Sequence, residues 1–212
     1  IRNDAELADM RKLIEEGLAI AEEHVNTDAK LSVFREQFSL ALYELTGQSG
    51  RGEKQSYELS RLHAKSALSQ FQVDPDGPTI DPVFGAHFSE KDKPEILRGC
   101  SELLVVLADT WSLSNIEKSR ELLEKARREA KRAGVSIEKA YFLKMARYTQ
   151  LASLGKDEEY LIQAKADIEK YHAEAAKVKP TSAYEYFLVG DEEFKEQQYE
   201  KAAHSFQQAL LI

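Results

Sequence analysis

The sequence predicts an all-α fold, an α–α superhelix of about nine helices stacked in pairs. Three observations carry that expectation. Apolar residues recur three and four positions apart over nearly the whole chain, the spacing of one helix face. Most of the five prolines and ten glycines fall between Gly47 and Gly99, so the rest of the chain is nearly free of breakers. The connections between periodic runs are short, which sets consecutive helices side by side and antiparallel.

The first run, Asn3–His24, opens on a capping-box pattern, Asn3 with Glu6, and carries Leu7, Met10, Ile14, Leu18 and Ala21 as one stripe. Thr27–Thr46 is expected as a second helix, with Leu31, Phe34, Phe38, Leu42 and Leu45 along one side. Gln48–Gly52 reads as a turn, and Glu53–Gln72 as a third helix bearing Tyr57, Leu62, Ala64, Leu68 and Phe71. Residues 1–72 thus form an N-terminal helical segment in which no repeat aligns. Residues 73–90 hold three prolines and two glycines, which exclude a helix. Val73, Ile80, Val83, Phe84 and Phe88 are too apolar for a free linker, so an ordered connector packed on the helices is expected.

The next helix starts at Ser89 or Lys93, with Pro94 in its first turn, and runs through Cys100, Leu103, Leu104, Val106, Leu107 and Trp111. Ser114–Glu117 reads as a capping box opening a basic helix with seven Lys/Arg against four Glu up to Gly134. Pairs such as Glu121–Lys125 and Glu124–Arg128 make that run a solvated face. Ser136 caps the following helix, which closes at Gly155; Asp157–Lys177 follows, then Pro180, and Ser182–Glu185 caps the last pair.

That last pair is the most informative stretch. Tyr186, Val189, Gly190 and Phe194 recur on its first helix, and Tyr199, Ala202, Ala203, Phe206, Ala209 and Leu210 on its second. Small residues stand where two backbones must approach and large ones lie between. The pattern resembles a tetratricopeptide (TPR) repeat, with Tyr186, Gly190, Ala202, Phe206 and Ala209 in the repeat's core positions. The repeat's terminal proline would fall past Ile212, so the sequence is expected to stop inside a repeat. Divergent repeats at about 100–134, 141–180 and 183–212 divide residues 91–212, at a spacing of 41–42. In the first of them Leu103, Val106, Leu107, Ser119, Leu123 and Ala126 take the core slots.

A wider likeness follows. Phe71–Val73–Asp74–Pro75, Glu102–Leu103–Leu104 and Pro180–Thr181–Ser182–Ala183–Tyr184 resemble pieces of bacterial, planctomycete-type serine/threonine protein kinases with TPR regions C-terminal to the kinase domain. The resemblance implies a regulatory or docking arm. No glycine-rich loop, H-R-D or D-F-G of a kinase domain is in the chain.

Other chemistry is excluded or weakly signalled. A net charge of −8 and a pI near 5.3 argue against nucleic acid, whose affinity comes from neutralised phosphates. The five histidines lack metal spacing, Asp74–Gly77 lacks the alternating oxygens of a calcium loop, and no phosphate-cradling G-K-[ST] occurs. Cys100 on an apolar stripe reads as a packed thiol. No cofactor, metal or catalytic residue is therefore expected, and no membrane span. No signal peptide is read in the first residues; the localisation stays open, with a cytoplasmic setting favoured and an extracytoplasmic one expected if a parent protein carries a transmembrane helix. The leading expectation is a protein or peptide partner, held in a concave groove at Leu104, Ala108, Trp111, Met145, Thr149, Phe187, Asp191 and Lys195. The alternatives are a structural array that self-associates through its C-terminal face at Leu210, Leu211 and Ile212, and an uncharacterised enzyme.

Overall fold

The computed structural model describes residues 2–46, 52–85 and 88–212; of residues 2–10 and 53 it describes the helical backbone alone. All regular structure among them is α-helix: α1 (Arg2–Leu45), α2 (Glu53–Ser69), α3 (Lys93–Trp111), α4 (Ile116–Arg132), α5 (Glu138–Ser153), α6 (Glu158–Lys177), α7 (Ala183–Lys195) and α8 (Tyr199–Leu211). The count is eight among the described residues rather than nine. The two helices expected before residue 46 are one, because His24–Asp28 contains neither proline nor glycine and nothing interrupts the backbone bonds. The helix already runs through Asn3, whose side chain, like the turn expected at 48–51 and His87, lies outside the described residues.

Each helix packs on its sequence neighbour in the pairs α1–α2, α3–α4, α5–α6 and α7–α8. Neighbouring pairs touch through α1, α3, α5 and α7, which contact one another in that order, and through α2 on α3 and α4 on α5. The core follows that central row. On α3 every residue from Gly99 to Thr110 is buried, including Leu103, Val106 and Leu107, and on α4 Ser119, Leu123 and Ala126 meet them.

Short polar side chains fix several helix starts by accepting an otherwise orphaned N–H. Asp157 accepts from Tyr160 N at 2.9 Å, and Ser182 from Glu185 N at 3.2 Å. At α4 the cap is Asn115, accepting from Lys118 N at 3.0 Å, one residue beyond the expected Ser114. α5 starts after Ile137 without a side-chain cap, and Ser136 Oγ sits 3.5 Å from Glu138 N.

The connector from α2 to α3 is pinned at both ends. Phe71, Val73, Ile80 and Phe88 are buried, and the Phe71 ring stands edge-on to Phe34 and Phe88 with centroids 5.4 and 5.7 Å apart. The basic helix α4 supplies the polar half of the clamp. Lys125, 8% exposed, donates to the carbonyls of Pro75 and Gly77, and Arg132 donates to Ile80 O at 2.6 Å and Asp81 Oδ1 at 2.7 Å. Lys125 is thus spent on the connector rather than on Glu121, and Glu124 accepts from the Tyr141 hydroxyl rather than pairing with Arg128. Burial of the ammonium lowers the Lys125 pKa, partly offset by Asp74 and Glu129.

α1 outreaches its neighbours. At about 1.5 Å per residue its 44 residues span about 66 Å. The connector meets it near Glu23, Asn26, Thr27 and Lys30, and from residue 11 to residue 22 every side chain is exposed.

Candidate partner-binding groove

The inward faces of α1, α3, α5 and α7 border a cavity of about 280 Å³. α7 supplies Tyr184, Phe187, Leu188, Asp191 and Lys195, residues three or four apart and so on one helical face. α3 supplies Asp109 and its C-terminal cap Ser112, α5 supplies Lys144 and Arg147, α1 supplies Leu42 and Leu45, and Tyr57 of α2 and Phe206 of α8 join the lining.

The floor is a buried polar joint. The Lys144 ammonium lies 2.5 Å from Asp109 Oδ2, with both side chains nearly enclosed, and the Tyr148 hydroxyl donates to Asp109 Oδ1 at 2.7 Å. Two donors from α5 thus satisfy one carboxylate of α3, which makes its burial tolerable. Burial and the adjacent Asp109 push the Tyr148 hydroxyl well above its ordinary pKa, so it stays a neutral donor. Tyr184 is raised for the same two causes, and its hydroxyl finds no hydrogen-bond partner among the described residues.

At the mouth the charges differ in how they are committed. Lys195 is held by Asp191 at 2.5 Å and Glu192 at 3.1 Å. The half-buried Arg147 makes no hydrogen bond and no ion pair among the described residues, and it lines the same cavity as the half-buried Phe187.

Of the residues expected to line a groove, Phe187, Asp191 and Lys195 come together here. Leu104 and Ala108 do not: both are fully buried and offer no atom to a partner. Trp111 is turned to α2, where the Arg61 guanidinium lies 4.1 Å over its ring while donating to Thr110 Oγ1 and O. Met145 and Thr149 face the opposite side of α5, bordering a cavity of about 210 Å³ with Tyr160 and Asp167 of α6. Of the residues expected in repeat-core positions, Gly190 and Phe206 meet where α7 packs on α8. A Cβ on Gly190 would lie 2.7 Å from the Phe206 ring, so the ring occupies space that only glycine leaves open. Ala202 is buried there, and Tyr186 and Ala209 are half-buried.

Asp109, Lys144, Arg147, Tyr148 and Tyr184 were not foreseen. One signal was present: a single carboxylate in the apolar run LLVVLADTW requires a buried partner. Elsewhere Cys100 is fully buried and its thiol is pushed up to about 12 by that burial, and no cluster of three or more His, Cys, Asp or Glu among the described residues is arranged to hold a metal ion. No described helix is long and apolar enough to cross a membrane. No known family model, curated protein or solved structure matches the chain.

Proposed function

We propose that this chain is a protein-interaction module, an α–α superhelix of TPR-like pairs whose inner groove holds a segment of a partner protein. The observation that carries the reading is Arg147: a half-buried arginine with no hydrogen bond or ion pair among the described residues, lining the same cavity as Phe187 and Leu188, whose carboxylates Asp109 and Asp191 are paired with Lys144 and Lys195. Its complement is a segment that presents a carboxylate next to an apolar side chain, because a guanidinium fork pairs a carboxylate bidentately while the aromatic wall receives the side chain. The row α1, α3, α5, α7 with outer partners supports the superhelical reading. A non-catalytic role fits the groove's acids and bases, since Asp109 is committed to Lys144 and Tyr148, and Asp191 to Lys195. The kinase-like strings in the sequence make a docking arm of a larger signalling protein, such as a serine/threonine kinase, the setting we propose.

Selection from a random peptide library displayed against the chain tests this. Acidic, apolar-flanked peptides are expected, with binding reduced about tenfold or more by Arg147→Ala or Phe187→Ala, the loss of one charge-assisted contact or one aromatic anchor. Failure to enrich any sequence, or enriched peptides indifferent to both substitutions, overturns the assignment.

A further inference from the structure

The N-terminal half of α1 carries a second surface, independent of the groove. Ile14, Leu18, Ala21 and Val25 recur at steps of four, three and four, the seam spacing of paired helices, and Ile14, Leu18 and Val25 are 62%, 59% and 71% exposed. The same helix buries Leu31 and Phe34 and packs Phe38 against α2 and α3. Because α1 is unbroken, both stripes belong to one rigid rod. At about 100° per residue the seam lies about a third of a turn away from the buried stripe. The packing of α2 and α3 that covers the buried stripe leaves the seam uncovered, so an occupant of the seam must come from elsewhere. A helix of this length gains most of its stability from burying an apolar face, which residues 11–22 do not do within this molecule.

The charges beside the seam select that occupant. Arg11 lies at one end and Glu22 at the other, on the same edge of the seam, and neither makes an ion pair among the described residues. We propose that the occupant is the same stretch of a second copy of this chain, lying antiparallel. With Ile14 of one copy against Leu18 of the other, the Arg11 stem covers the partner copy's Ala21 and its guanidinium reaches the partner copy's Glu22, twice by symmetry. A parallel in-register pairing sets Arg11 against Arg11 in the seam instead and puts the two Glu22 on opposite edges, out of reach of either arginine. An isologous two-fold contact is also the commonest closed arrangement of identical chains. A seam this short forms a small interface, so the dimer is weak and concentration-dependent.

Sedimentation equilibrium of the full chain, from low micromolar to submillimolar concentration, tests the proposal. Monomer–dimer exchange is expected for the wild type. Leu18→Asp, at an exposed position remote from the core, is expected to weaken the dimer at least about thirtyfold, with helix content and melting temperature unchanged. Arg11→Glu and Glu22→Arg should each weaken it by about three- to tenfold, and their combination should restore it, because two exposed ion pairs are exchanged for two of opposite sense. A monomer at every concentration overturns the proposal. So does a dimer untouched by Leu18→Asp, which would place self-association elsewhere, as at Leu210–Ile212. Failure of the double reversal to rescue either single one overturns the antiparallel pairing.

Discussion

At the scale of single residues, Glu102 is a carboxyl group whose burial is costly once it ionises. It is 5% exposed on α3, and its Oε1 has no hydrogen-bond partner among the described residues. Burial raises its carboxyl from the ordinary 4.5 to about 7; a hydrogen bond from Ser182 pulls the other way, the nearby Glu185 adds to the rise, and Arg98 opposes it. The folded state therefore holds this proton more tightly than the unfolded chain does. Its contribution to stability is complete below pH 4.5, and declines as pH climbs from there to about 7, by about 3 kcal/mol. Glu102→Gln mimics the protonated form. It is expected to flatten that part of the pH–stability curve and to raise stability at pH 8 by about 1–3 kcal/mol. Urea denaturation of both proteins at pH 4.5, 6 and 8 measures this; parallel curves for the two would show that Glu102 does not titrate in this range.

At the scale of elements, α4 shows how a run of like charges can conceal a structural task. Lys125 satisfies two connector carbonyls, and Lys125→Met removes both bonds while keeping the apolar stem. Leaving those carbonyls without a donor is expected to cost about 1–3 kcal/mol and to open residues 73–85 to limited proteolysis, with helix content intact. Mass spectrometry of early cleavage products checks it, and unchanged resistance there would mean that the buried aromatic cluster alone holds the connector. Helix type, most helix ends and the core slots of α3 and α4 were legible, because periodicity, Asp157, Ser182 and the prolines act locally. The role of Lys125 was not, since its partners lie about 50 positions away in sequence and are backbone atoms. The same limit shaped the groove. Phe187, Asp191 and Lys195 were read within the best-formed repeat. On the repeat frame their counterparts on α5 are Met145 and Thr149, and a one-residue shift in that frame turns a side chain by about 100°. Lys144 and Arg147 stand on the groove face instead. The continuity of α1 was missed for a different reason, two good stripes of different phase suggesting two helices.

At the scale of the whole molecule, the question is whether the pairs form one cooperative body or an array coupled only between neighbours. The α5–α7 joint decides it. Glu185 of α7 is fully buried and accepts from Ala140 N of α5 at 3.2 Å, and from Thr181 N and Oγ1 at 2.7 and 2.9 Å. One carboxylate thereby ties the last pair to the preceding one, while α3 reaches the same corner only at its edge, through Arg98 donating to Thr181 O at 3.3 Å and the hydrogen bond of Ser182 to Glu102. Glu185→Ala strands the buried N–H of Ala140 and the part-buried N–H of Thr181, at an expected cost of about 2–4 kcal/mol. In an array whose stability is a sum of pair terms and neighbour contacts, that loss stays near the joint. Hydrogen exchange should then show protection falling in α7 and α8, while α3 and α4 keep theirs. It should fall by a factor of about thirty or more for each 2 kcal/mol lost. An equal fall in all eight helices would mean a single cooperative globule. The superhelical reading would go with it, and with that reading the expectation that a partner lies along a row of stacked pairs.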